Sequence, residues 1–204
     1  MHFLSTIVSF AAFTAFLTPV ISAPIAEPNV DTTSVVVKRG GGGLTDTAQT
    51  CYDGVKNKCD EITAKIDAAV DAKIDADLAA VIIVDLKVIV TLIVKLGVDL
   101  QAKIAAGRVK LVDVKACVAI VIAIVKLCVS ILVKIKACLS VNVSASVFIE
   151  VVLKLYACIK IVIDLCIDLC LGKKGGVPVQ ALVLQLTACL TAFVNARDAL
   201  GIHV

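Results

Sequence analysis

Aromatic and histidine side chains are scarce in this 204-residue chain. It has no tryptophan, only 4% aromatic residues, and two histidines, His2 and His203. The chain therefore offers few histidines for a Ser-His-Asp triad, a Cys-His pair or a histidine metal site. The sequence also contains no GxSxG motif. We predict that the protein is not an enzyme and that it uses no cofactor and no metal ion.

Blocks of like charge are also missing. The formal net charge is +3, and the charged residues are interspersed along the chain. The absence of a basic run with interleaved aromatics excludes an ordinary nucleic-acid-binding face. Hydrophobic residues make up 60% of the chain and the mean hydropathy is +1.02, which excludes intrinsic disorder. The length is that of one compact domain.

The N-terminal region has two processing signals. Residues 1–23 contain an uncharged apolar segment that ends in small residues, and they are predicted to be a secretory signal peptide cleaved near Ala23. A membrane anchor is the alternative. Lys38 and Arg39 form a dibasic pair that ends a polar stretch, so residues 24–39 are predicted to be a propeptide. The mature chain would start at Gly40, with a flexible glycine-rich segment at 40–44.

The stretch from Val81 to Ile149 is dominated by Val, Ile and Leu. Lys87, Thr91 and Lys95 recur there at intervals of four, which places polar groups on one side of a helix. The abundance of β-branched residues favours strands, but long segments lack the turn signals of an all-β chain. We predict an all-α fold for residues 45–204, a compact bundle of four to five very apolar helices with disulfides.

Several local features are predicted within this bundle. Gly54 and Asn57 suggest a turn. Apolar residues recur every four positions over residues 62–78, with aspartates beside them, which predicts one amphipathic helix with a solvated acidic face. A break is expected near Gly97 or Gly107, because four-residue steps drift around a 3.6-residue helix.

Nine cysteines follow the dibasic pair, and in an oxidising compartment they are predicted to form structural disulfides with one thiol left over. Their connectivity is open. The nine are Cys51, Cys59, Cys117, Cys128, Cys138, Cys158, Cys166, Cys170 and Cys189.

Two further features concern the outer surface. The sequence Asn142-Val143-Ser144 is an N-glycosylation sequon, with Asn142 as the acceptor. Residues 116–133 are the best transmembrane candidate, although Lys126 lies among them. A secreted bundle is favoured over membrane or interfacial association. Val121 and Ile124 are expected on an apolar face that folding hides in water and that the protein lays on a non-aqueous surface when it adsorbs.

This layout resembles a group of small secreted proteins of mushroom-forming fungi. The shared features are the signal peptide, a more hydrophilic first part, a very hydrophobic cysteine-bearing second part and no catalytic set. With nine cysteines and no adjacent Cys-Cys pair, the chain is not a true hydrophobin. The resemblance implies a cell-wall or extracellular-matrix protein that is hydrophobin-like in its role.

Three functions are compatible with these observations. The first is a surface-active structural protein whose partners are air–water or hydrophobic interfaces and the wall matrix, with self-association allowed. The second is a carrier of apolar ligands such as lipids. The third is a membrane-active secreted effector.

Overall fold

The computed structural model describes residues 43–107, 110–172 and 177–203, apart from the side chains of residues 70 and 177–179. Five α-helices account for most of this part of the chain, which contains no β-strand. They are α1 (Leu44–Asp67), α2 (Ala76–Ala105), α3 (Leu111–Cys138), α4 (Ile149–Leu171) and α5 (Val177–Ala199). The prediction of an all-α bundle with four to five helices is confirmed.

The central helices are α3 and α4. Helix α3 packs against α1, α4 and α5, and helix α4 packs against α2, α3 and α5. Helix α1 completes the bundle by packing against α2 as well as α3. The core therefore lies along α3 and α4, which explains why these two helices are apolar on most of their circumference.

Helix α1 begins one residue before the predicted start of the helical domain. The Asp46 carboxylate accepts a hydrogen bond of 2.8 Å from the backbone N–H of Gly43, which satisfies one donor at the helix start. The helix then continues through Gly54 and Asn57, so the turn predicted there is wrong. A Cβ on Gly54 would lie 3.0 Å from Leu92 Cδ1 of α2, so this glycine serves the close approach of two helices.

The predicted helix over residues 62–78 is also wrong, because the chain breaks after α1. Asp71 and Ala72 have φ values of 54° and 49°, which a right-handed helix does not allow. Asp75 then caps α2 by accepting a 2.8 Å hydrogen bond from the Leu78 N–H. Ile74 preserves the apolar spacing across the break, because it is buried between the helices rather than within one.

A short parallel bridge connects two loops at this end of the bundle. The N–H of Ile74 donates to the Cys138 carbonyl at 2.7 Å, and the N–H of Ser140 donates to the Ile74 carbonyl at 3.1 Å. The α1–α2 connection is thereby joined to the α3–α4 connection.

Helix α2 is continuous through Gly97, which is buried, so no break occurs there. It ends just before Gly107, whose φ of 74° suits glycine, and the second of the two expected positions is confirmed. Gly172 is the C-cap of α4, and α5 begins one residue before Pro178.

Polar contacts also connect neighbouring helices. The buried carboxylate of Asp85 on α2 lies 2.5 Å from Lys65 Nζ and 3.8 Å from Lys58 Nζ, both on α1. On α5, the guanidinium of the buried residue Arg197 lies 5.0 Å from the ring centroid of Tyr156 on α4, and the Tyr156 ring stacks on Phe193 at 6.3 Å. The outer helices are thus fixed by specific contacts as well as by apolar burial.

Candidate functional site: an exposed valine stripe

The outward face of α2 carries the candidate site. Val81, Val84, Val88 and Val98 are 44%, 59%, 37% and 43% exposed, and we call them the valine stripe. The steps of three and four residues between the first three place them on one helix face, and Val98 continues it two turns beyond Thr91. Eleven large apolar residues are exposed among the described residues, and α2 holds these four.

Polar residues border and interrupt the stripe. Lys87, Thr91 and Lys95 are exposed on the same side of α2. The Thr91 hydroxyl donates a 3.0 Å hydrogen bond to the Lys87 carbonyl, so it is satisfied within the helix. Lysine side chains can lie along an apolar surface while their ammonium groups stay in water. This face of α2 therefore combines exposed valines with polar side chains that lie directly beside them.

Helix α4 contributes a carboxylate beside this face. The hydrogen bond from Lys154, its positive charge and the charge of Lys87 lower the pKa of Glu150. The Lys154 Nζ–Glu150 Oε1 distance is 2.6 Å. The charge of Lys87 thus acts on a carboxylate of the neighbouring helix whose direct ion-pair partner is Lys154.

Helix α3 is the one described helix that is long and apolar enough to cross a membrane by length and composition. Its most apolar 18-residue window has a mean hydropathy of 2.9, and 44% of that window is buried in the bundle. Val121 and Ile124 lie in this buried part, at 1% and 2% exposure, so the folded bundle hides them from water and their role on an adsorbing face stays a prediction. Their burial follows from the central position of α3.

A groove of about 280 Å³ lies between the first turns of α1 and the second half of α2. Leu92, Leu96 and Cys51 provide its apolar part, and the Cys51 thiol contacts the Leu92 carbonyl at 3.5 Å. Charged and hydroxyl side chains make up the rest, namely Asp46, Thr47, Thr50, Lys95, Asp99 and Lys103. Such a small, charged groove is a poor match for a lipid, since ligand pockets are mostly apolar.

The cysteines do not form the predicted disulfides. None lies at bonding distance from another, and the thiols are distributed over the helices as ordinary packing residues. Cysteine behaves as a small apolar residue when it is buried, which explains its frequency in these helices. The nine free thiols are Cys51, Cys59, Cys117, Cys128, Cys138, Cys158, Cys166, Cys170 and Cys189.

Burial also makes these thiols poor nucleophiles. It raises the pKa of Cys51 and of Cys59 to about 12, and it also raises the pKa of Cys128 and of Cys158. A hydrogen bond with Cys117, together with burial, raises the pKa of Cys166. Because the thiolate is the reactive form, the arrangement indicates packing rather than thiol chemistry.

The structure describes one of the predicted modification sites, the sequon at Asn142, but not the processing sites. Asn142 is exposed in a turn, and Ser144 of the same sequon is exposed beside it, so both are accessible. Glycosylation itself stays a prediction. The signal peptide, the propeptide and the Lys38-Arg39 pair lie outside the described residues.

No group of three or more His, Cys, Asp or Glu side chains within the described ranges is arranged to hold a metal ion. His203 is exposed, with its Nδ1 3.9 Å from the Asp198 carboxylate. Comparison with protein-family models, curated proteins and solved structures finds no match for this chain.

Sequence reasoning missed the valine stripe. The sequence shows the three- and four-residue spacing of Val81, Val84 and Val88, but residues that face the core, such as Ile82, are equally apolar. Only the positions of α1 and α4 against α2 determine which of its apolar faces remains uncovered.

Proposed function

We propose that the chain is a non-enzymatic, surface-active structural protein that is secreted and acts in a fungal cell wall or extracellular matrix. The single observation that supports this function best is the valine stripe, an apolar surface already exposed on a packed bundle. Adsorption at an air–water or hydrophobic surface then requires no opening of the core.

The size of the stripe suits reversible adsorption. Full burial of a valine is worth about 1.5–3 kcal/mol, so removing four half-exposed valines from water is worth roughly 3–6 kcal/mol. Since about 1.4 kcal/mol changes an equilibrium constant tenfold, the stripe alone would raise surface affinity by roughly a hundredfold or more. Lys87 and Lys95 would keep their ammonium groups on the water side.

The test is a surface-tension measurement on the purified secreted protein. Wild-type protein should lower surface tension more than an ordinary globular protein of equal size. A Val84→Asp/Val88→Asp variant should lose most of that excess, because two carboxylates would have to leave water on adsorption. Both positions are exposed, so circular dichroism should report an unchanged helical fold.

The matched control is an Ala188→Asp/Ala192→Asp variant, with the same i, i+4 spacing on exposed positions of α5. It should keep the wild-type activity. Equal loss in both variants, or no excess activity in the wild type, would exclude adsorption through the stripe. An apolar ligand co-purifying in organic extracts would then favour the carrier function, and dye release from liposomes would favour the membrane-active one.

A further inference from the structure

The outward face of α2 has a residue spacing that reads the same in both directions. Its members are Asp77, Val81, Val84, Val88, Thr91 and Lys95, all exposed and separated by four, three, four, three and four residues. Alternating steps of three and four residues are the spacing at which one helix can pack along another over several turns.

We propose that this face binds the same face of a second copy of the chain, with the two α2 helices antiparallel about a two-fold axis beside residue 86. Val84 then lies opposite the partner's Val88, and Val81 lies opposite the partner's Thr91. Asp77 lies opposite the partner's Lys95. Each contact occurs twice, as an isologous interface requires.

The charges select this register over its alternatives. A parallel pairing would place the two Lys95 side chains together and the two Asp77 side chains together, which is unfavourable. An antiparallel pairing shifted by half a heptad would place Lys95 against the partner's Val84 and Asp77 against the partner's Ala102, without an ion pair. Of these three arrangements, only the proposed one places the Val84–Val88 contacts at the centre and opposite charges at both ends.

Lys87 lies close to the two-fold axis in this arrangement, so the two copies bring two lysines together. Glu150 of each chain already lies beside Lys87, with Lys154 as its direct ion-pair partner. The two Glu150 carboxylates thus reduce, without cancelling, the repulsion between the two Lys87 ammonium groups, which is a further reason for a weak dimer.

The area indicates a weak dimer. Eighteen residue steps of α2 extend over about 27 Å, and a contact strip about 10 Å wide buries roughly 300 Å² per copy, against about 800 Å² in a standard stable interface. Pairing would therefore cover Val81, Val84 and Val88 at high concentration in water and release them on dilution or at a surface.

The test is sedimentation equilibrium of the secreted protein from about 10 μM to 1 mM, a range that resolves concentration-dependent association. The average mass should rise from monomer toward dimer. Val84→Asp should abolish the rise, whereas Val141→Asp, which adds the same charge to a fully exposed loop residue, should leave it unchanged. A constant monomer mass in the wild type would overturn the proposal.

Charge reversal tests the register. Asp77→Lys alone and Lys95→Asp alone should each weaken association at least about tenfold, since each replaces two attractive contacts by repulsive ones. The Asp77→Lys/Lys95→Asp double variant should return to within about threefold of wild type, because the two exchanged side chains that face each other are again opposite in sign. Failure of the double variant to recover, with a wild-type helical spectrum, would exclude this register.

These outcomes are separable from the proposed function. A folded Asp77→Lys variant keeps all four valines, so it should still lower surface tension as a monomer. Loss of pairing with retained adsorption therefore concerns the dimer contacts alone, and loss of adsorption with retained pairing concerns the surface activity alone.

Discussion

The inward and outward faces of α2 contain nearly the same kinds of residue but have different surroundings. Ile82, Leu86 and Ile89 face the core and are at most 1% exposed, whereas Val84 and Val88 are open to water. Hydropathy alone does not distinguish these faces. The difference arises because the positions of α1 and α4 leave one side of α2 uncovered.

The largest expected effect comes from truncating one residue on each face. Ile82→Ala should lower the free energy of unfolding by about 2–5 kcal/mol, because it leaves a cavity in the core. Val84→Ala should change it by less than about 0.5 kcal/mol, since the side chain is already exposed. Chemical denaturation of both variants measures the contrast, and equal losses would show that the outward face is covered.

The burial of thiols in the core predicts that the stability of the protein depends on pH. The pKa of Cys51 and of Cys59 is raised from 9.0 to about 12, so both are protonated in the fold above the pH at which they ionise in the unfolded chain. Their contribution to stability is fully present below pH 9 and is lost as the pH rises through about 12. Denaturation at pH 8, 9, 10 and 11 should therefore show declining stability.

A Cys51→Ala/Cys59→Ala variant is the control for this decline. It retains the other buried thiols and the lysines and tyrosines, which also titrate at alkaline pH, so its stability should still fall with pH but less steeply than that of the wild type. An identical slope would mean that the two thiols ionise in the folded protein as readily as in water.

A smaller effect is expected at the turn before α2. Ala72 has a φ of 49°, where an L-residue with a Cβ is disfavoured relative to glycine. Ala72→Gly should raise the free energy of unfolding by about 1 kcal/mol. Ala68→Gly, at a position with a φ of −82°, should give no gain, and thermal melting of the two variants compares them.

The smallest expected effect is that of a reducing agent. Because all nine cysteines are free, the melting temperature should be the same with and without reductant. A lower melting temperature in reductant would show that thiols pair in the secreted protein, and peptide mapping under non-reducing conditions would identify them.

The sequence predicted the central helices well because long apolar runs admit few alternatives. Helix α2, for example, ends before Gly107, one of the two positions at which a break was expected. The break between α1 and α2 was not predictable from periodicity, since Ile74 keeps the apolar spacing while belonging to neither helix. Apolar spacing reports burial, and Ile74 is buried although it lies in the connection between α1 and α2.

The candidate site and the thiols show a second limit of prediction from the sequence. Disulfides depend on which side chains meet in space, and cysteine residues in a helix interior can equally be packing residues. The exposed face of α2 depends likewise on the neighbours of that helix. Val84 and Ile82 cannot be assigned to surface and core from their residue types.

The bridge between Ile74 and the 138–140 segment has a consequence for local opening. Its two hydrogen bonds join the connections of two different helix pairs, so detaching either connection breaks both bonds. In a hydrogen-exchange experiment the Ile74 and Ser140 amides should therefore exchange together, as one cooperative unit. The two loops at this end of the bundle would then open together, although more than sixty residues separate them along the chain.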